Sequence, residues 1–174
     1  MNNILKEINS MFKLQNKSNL DLFIRNFKEI IDDSDIIVGI GAGRMGYSLK
    51  AFIMRLSHMG YKSFMLGDTG LPKITSKSVV IFNSSSGKTE SNLLMSKIAK
   101  KNKSKIISFC CNNRSKLVKS SKYFLKIPII KSNQPLKSIY EQYTYLLFDF
   151  IIFKLINNNT KIIKKMESTH SILE

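Results

Sequence analysis

Two cysteines and two histidines are all that these 174 residues contain, and the scarcity narrows the chemistry. Cys110 and Cys111 are adjacent and follow the apolar run KIISF, so they form neither a disulfide framework nor a metal site of CxxC spacing; they are expected at a strand end. No metal-ligating cluster is visible. Long apolar runs are also missing, which excludes a membrane-spanning helix of about 20 residues. The opening MNNILKEINS lacks an apolar signal core and a small-residue cleavage site, and a cytoplasmic location is expected. Acidic residues number 12 against 28 basic ones, a formal charge of +16. Arginine, however, occurs only at Arg25, Arg44, Arg55 and Arg114, and the lysines are scattered without interleaved aromatics. That pattern argues against nucleic acid as a partner and leaves a positive field able to attract small anions.

Against these absences stands one informative stretch, Val79–Asn92, VVIFNSSSGKTESN. An apolar run stops at hydroxyl-bearing residues and a glycine, and a helical pattern with Leu93, Leu94, Ile98 and Ala99 follows. A strand, loop and helix of this kind leave the first helical N–H groups free to hold an anion. The hydroxyls of Ser84, Ser85, Ser86 and Thr89 can each add a hydrogen bond, which suits a phosphate-bearing ligand. The plainer alternative is a serine-rich turn with Thr89 as a helix cap.

The rest of the chain supplies a frame for that loop. Residues 1–33 carry apolar positions three or four apart and predict two helices separated near Gln15–Asn19. From Asp35, IIVGIGAGRMG predicts a strand ending in glycines, followed by a helix over Tyr47–Met59 that Gly60 terminates. The spacing Gly41, Gly43, Gly46 satisfies GxGxxG, so a dinucleotide is a competing ligand, with Asp68 somewhat beyond the usual ribose-binding distance. Alternatively these glycines let a helix pack close to a strand or a ligand approach the backbone. Strands are further expected at Ser63–Leu66, Lys105–Phe109 and Tyr123–Ile127, with a short helix at Ser115–Ser120.

The alternation implies an α/β three-layer sandwich around a five-stranded parallel sheet of flavodoxin-like order 2-1-3-4-5. In that order the loops after the first and third strands, Gly41–Gly46 and Ser84–Thr89, face each other across one crevice. After a loop at Lys131–Ser138, IYEQYTYLLFDFIIFKLI predicts a helix apolar nearly all round, buried in the core or against another subunit. The asparagines at 157–159 break it, and a last helix spans Lys161–His170. The whole of 1–174 is expected to be one domain: helices over 1–33, the α/β core over 35–128 and helices over 138–174.

Five blocks in order, GAGRMG, AFIMRLSHMGY, SSSGKTES, PLKSIYEQ and MESTHSILE, resemble those of the 6-phospho-3-hexuloisomerase family of the sugar isomerase (SIS) domain superfamily. The resemblance covers about Asp35 to Glu174. It implies a homo-oligomer, a homotetramer or homodimer, that interconverts 3-hexulose 6-phosphate and fructose 6-phosphate without a cofactor. Ser84, Ser86 and Thr89 match the family's phosphate contacts. Met45 stands where the family usually has serine, and Ser85 and Lys88 replace the glycine and acid of its common SGSGET loop.

Moving a carbonyl along a sugar needs a base that takes a proton from carbon, through an enediolate. Glu141, at the opening of the apolar helix, is the expected base; a dipole-complementing first-turn glutamate is the simpler role. His58 matches the family's RLxHxG block and His170 its HxxLE ending, and either could serve a neighbouring subunit's crevice. Arg44 and Gly43 are expected to meet the ligand, Arg44 through an oxygen or phosphate. Asp149, two turns after Glu141, is expected to pair with a lysine or cap a neighbouring group. Two further readings share the crevice: a non-catalytic sugar-phosphate sensor, and an isomerase of another phosphosugar.

Overall fold

The computed structural model describes residues 2–170. Five strands, β1 (Ile37–Gly41), β2 (Ser63–Met65), β3 (Val79–Asn83), β4 (Lys105–Cys110) and β5 (Tyr123–Lys126), form one sheet of order β2-β1-β3-β4-β5. Every pairing is parallel, and Gly41 lies opposite Asn83, which lies opposite Phe109. The carboxyl ends of the three central strands are therefore level.

Why the sheet is covered on both faces is legible in its alternation. Ile37, Val79, Ile81, Ile107 and Phe109 point into one buried cluster, while Val38, Ile40, Val80, Phe82 and Ile106 point into the other. The first cluster holds α1 (Asn2–Leu14), α2 (Lys17–Asp32), α3 (Arg44–His58) and α6 (Ser138–Ile156). Its centre is aromatic: Phe52 stacks on Phe148 with ring centroids 4.7 Å apart, and Phe109 meets Phe148 edge-on at 4.9 Å. Truncating one of these rings to alanine is worth roughly 3–5 kcal/mol. On the opposite face α4 (Glu90–Lys101) and α5 (Lys116–Ser120) contribute Ala99 and Leu117.

Several boundaries and one pairing differ from expectation. Helix α3 begins at Arg44, three residues before Tyr47, because Gly46 belongs to its first turn. A Cβ on Gly46 would stand 2.6 Å from the Gly41 carbonyl oxygen, so the glycines serve close strand–helix packing, and Gly43, at φ 56°, makes the left-handed entry. The last helix, α7 (Thr160–Thr169), starts on the Asn159 side chain, which accepts from the N–H groups of Lys161 and Ile162. His170 caps it in an extended conformation, and residues 171–174 of the last block lie outside the described residues. Helix α6 buries Tyr140, Tyr143, Leu147 and Ile151 but leaves Leu146, Phe150 and Phe153 exposed on this chain. Asp149 faces Arg55 at 4.0 Å rather than a lysine. Among the described residues no helix is long and apolar enough to cross a membrane.

Candidate active site

The loop after β3 is held by its backbone to the end of β4. The Ser84 N–H donates to the Phe109 carbonyl at 3.1 Å, and the Cys111 N–H donates to the Ser85 carbonyl at 3.1 Å. Within the loop, the hydroxyls of Ser84 and Ser86 accept from the N–H groups of Gly87 and Lys88 at 3.3 and 3.2 Å. Each hydroxyl that accepts in this way keeps its own hydrogen to donate. Gly87, at φ 63°, cannot be replaced cheaply, since a Cβ there would sit 2.3 Å from the Ser115 hydroxyl. Thr89 occupies the N-cap position of α4 with extended backbone, yet its hydroxyl accepts no helix N–H. Its function as a simple side-chain cap is therefore not what the geometry shows.

Between the two loops lies a cavity of about 190 Å³, lined by Ala42, Met45, Asn83, Ser84, Ser85, Ser86, Thr89 and Asn92. The glycine loop and the serine loop do form its opposite walls. Its polar lining is neutral, made of hydroxyls and carboxamides. Larger cavities exist, one of them about 660 Å³ between α2 and β5, but that one lacks the serine loop.

Beneath the cavity runs a buried polar network that sequence reasoning missed. Asn83 Nδ2 donates to the Met45 carbonyl at 3.1 Å and to the Ser48 hydroxyl at 3.0 Å. Its Oδ1 accepts from the Tyr140 hydroxyl at 2.7 Å, which also reaches the Phe109 carbonyl at 3.0 Å. Ser48 and Thr144 are 3.2 Å apart. These bonds tie β3, the first turn of α3 and the first turns of α6 together. Burial pushes the Tyr140 hydroxyl well above the ordinary tyrosine range, with the neighbouring Cys111 and Cys110 adding to the shift. The available signal was a polar residue ending the strand VVIFN, and a Tyr and Thr four apart on α6.

Glu141 lies on the other side of the first turn of α3. It lines a more open, mostly apolar groove with Ile8, Arg44, Tyr47, Ser48, Gln142, Tyr145 and Leu146. Arg44 Nε stands 3.0 Å from Glu141 Oε2, and Arg44 Nη2 donates to the Leu136 carbonyl at 3.3 Å. The ion pair is close but misaligned for hydrogen bonding, so the buried Oε2 has no hydrogen-bond partner.

His58 and His170 come together instead at the far end of α3. Their ring centroids are 5.6 Å apart, and the Thr169 hydroxyl donates to the His58 carbonyl at 3.0 Å. Within one chain the structure thus brings together Ser84, Ser85, Ser86 and Thr89, pairs Arg44 of α3 with Glu141 of α6, and sets the two histidines against each other at the opposite end of α3. Gly43 is at the rim of the glycine loop, exposed. Among the described residues no group of three or more His, Cys, Asp or Glu side chains is placed to hold a metal.

A model of the SIS domain family matches residues 30–152. An uncharacterized protein of Archaeoglobus fulgidus is 32% identical over 155 residues, covering 84% of this chain and 85% of that protein. A 3-hexulose-6-phosphate isomerase of Bacillus subtilis is 30% identical over 143 residues, covering 77% of each chain. One solved structure, from Methanococcus jannaschii, superposes with a TM-score of 0.87 at 25% identity and covers 99% of this chain and 98% of that one; a molecular function of 3-hexulose-6-phosphate isomerase is inferred for it. The same five-stranded order, two loops facing across one cavity and a match spanning the sheet agree, and the chain belongs to the SIS domain family, among relatives of the 3-hexulose-6-phosphate isomerases.

Proposed function

We propose that the protein is a sugar-phosphate isomerase that interconverts 3-hexulose 6-phosphate and fructose 6-phosphate. The observation that carries this reading is the neutral cradle of Ser84, Ser86 and Thr89 at the start of α4, beside an α3 turn that leads to Glu141. Hydroxyls with hydrogens to donate, together with the free N–H groups of α4, suit the acceptor-only oxygens of a phosphoryl group. The names borne by the relatives supply the substrate class.

The chemistry follows from the groups present. Glu141 takes the C3 proton of fructose 6-phosphate, and the electron pair left behind forms the C2–C3 double bond of an enediolate as the C2 carbonyl becomes an oxyanion. Arg44, 3.0 Å from that carboxylate, offers a positive charge to the developing oxyanion. The O3 hydroxyl proton then passes to the O2 oxyanion, and as the O3 electron pair forms the C3 carbonyl the proton held by Glu141 returns to C2, which yields the 3-ketose. Both directions use the same intermediate, and neither requires a change in oxidation state overall.

Glu141→Gln keeps shape and removes the base. Turnover is expected to fall about 10³-fold, within the range of general-base contributions, while fructose 6-phosphate still stabilises the protein against heat. The direct assay is exchange of the C3 hydrogen of fructose 6-phosphate with deuterated water, alongside appearance of the 3-hexulose. One feature favours the sensor reading: the Glu141 carboxylate is already engaged by Arg44, 3.0 Å away. Thermal stabilisation by the sugar phosphate with neither exchange nor product would establish the sensor.

A further inference from the structure

Two asparagines line the serine cavity, and they differ in one respect. Asn83 has both ends of its carboxamide occupied, by Met45 and Ser48 on one side and Tyr140 on the other. Asn92 is only 3% exposed, and its buried Nδ2 has no hydrogen-bond partner. Buried donors are nearly always paired, because a donor stripped of water and given nothing in return destabilises the fold. Asn83 is structural by this measure. Asn92 is a donor waiting for an acceptor.

Its position in α4 explains why the protein does not supply one. Thr89 is the N-cap, which makes Asn92 the third residue of the first turn. At that position a glutamate or glutamine commonly reaches back to accept from the cap N–H and closes the helix end. A carboxamide presenting its nitrogen adds a donor to a place where the backbone N–H groups are already unpaired. The α4 terminus, the serine hydroxyls and the Asn92 amide thus accumulate donors around one small volume.

We propose that Asn92 is a ligand-contacting residue whose buried amide donates to a phosphoryl oxygen of the bound sugar phosphate. This rests on the reading of the cavity as the phosphate subsite. A phosphoryl group has the required character, several acceptor oxygens and no obligatory donor. The cavity, about 190 Å³, lies below the roughly 300–1,000 Å³ of sites that enclose a whole drug-sized ligand, which fits the compact end of an ester rather than its full length. Asn92 completes the cradle from the helix side while the serines close it from the loop side.

The test uses Asn92→Leu, close in size but without a polar end, and Asn92→Asp, equal in shape but able only to accept when ionised. Calorimetric binding of inorganic phosphate and of fructose 6-phosphate is measured for each, with the melting temperature of the unliganded protein. For Asn92→Leu the dissociation constants of both ligands should rise together, by about tenfold or more, with unliganded melting unchanged or higher because an unpaired buried donor is gone. Asn92→Asp at pH 8 should bind still more weakly, and its preserved shape carries the test if the leucine variant folds poorly. In turnover the expected signature is a raised KM with kcat largely kept. Lower melting with unchanged affinity would make Asn92 a packing residue and overturn the assignment. A loss confined to fructose 6-phosphate, sparing inorganic phosphate, would overturn it too, by placing the contact on the sugar. Wild-type protein that binds neither ligand would bring down the phosphate-subsite reading itself, and this assignment with it.

Discussion

The two ends of α3 have opposite characters. Its first turn is pinned from three directions: Gly46 is pressed on the end of β1, the Met45 carbonyl accepts from Asn83, and Ser48 meets Thr144 of α6. Its last turn carries His58 against His170, and the Thr169 hydroxyl of α7 donates to the His58 carbonyl. Because α3 runs antiparallel to the strands, a helix of 15 residues carries its two ends about 21 Å apart, at roughly 1.5 Å per residue. Groups at the carboxyl ends of the strands share one crevice, whereas a group at the end of the following helix emerges at the opposite edge. Motif order along a chain does not tell these two situations apart.

Breaking the pinned end should have the largest effect. Asn83→Leu strips partners from the Tyr140 hydroxyl, Ser48 and the Met45 carbonyl at once, and should cost about 3 kcal/mol or more in chemical denaturation, with phosphate binding lost. At the other end, His170→Ala should cost less than about 1 kcal/mol, since the residue is exposed. Equal losses at the two ends would erase the contrast. The catalytic role expected of the histidines is sharpened by mixing. We propose that they act in the crevice of a second copy, because one chain keeps them away from its own serines. His58→Ala and Glu141→Gln chains, each slow alone, should then recover part of wild-type turnover after being unfolded and refolded together. A mixture no faster than its components removes the shared crevice, and a His58→Ala chain as fast as wild type removes His58 from the reaction.

The contrast also marks where the sequence was informative. Strand order followed from alternation of apolar runs with helices, and the serine loop from hydroxyls clustered after VVIF. Gly46 was legible in kind but not in place: close packing of a helix on a strand was one of the two readings of GAGRMG, but the helix was expected only from Tyr47, and the 2.6 Å approach of its missing Cβ to the Gly41 oxygen shows why a glycine stands in the first turn. Helix α6 was legible as apolar all round but not in how its faces divide: the core takes the side with Tyr140, Tyr143, Leu147 and Ile151, and Phe153 is 64% exposed on the single chain, on the side left to the expected second subunit. Asn83 and Asn92 could not be told apart from sequence, because what separates them is the presence or absence of a partner far along the chain.

The smallest effect is a difference in alkaline response between the ends. Tyr140 lies under the pinned end, and burial holds its hydroxyl well above the ordinary tyrosine value of 10.0. Tyr61, just beyond the last turn of α3, is also raised, by burial and by its hydrogen bond to Asp32. For both, the folded protein keeps the proton more tightly than the unfolded chain does. Stability from each is therefore fully present below about pH 10 and is lost as pH rises further, once unfolding releases a proton that the native state retains. Wild-type melting should be flat from pH 8 to 9.5 and fall above it. Tyr61→Phe should blunt the fall only slightly, since that ring is partly in solvent and water already screens its phenolate. Tyr140→Phe should blunt it more, while lowering melting at pH 8 by the loss of the bond to Asn83. Absorbance of tyrosinate at 295 nm followed through the same titration separates the two: a fraction of the signal that appears only with unfolding, and disappears in Tyr140→Phe, belongs to the buried ring beneath the cavity. If the Tyr140 signal instead rises before the protein unfolds, water reaches the network under the serine loop, and the two ends of α3 are less different than their packing makes them.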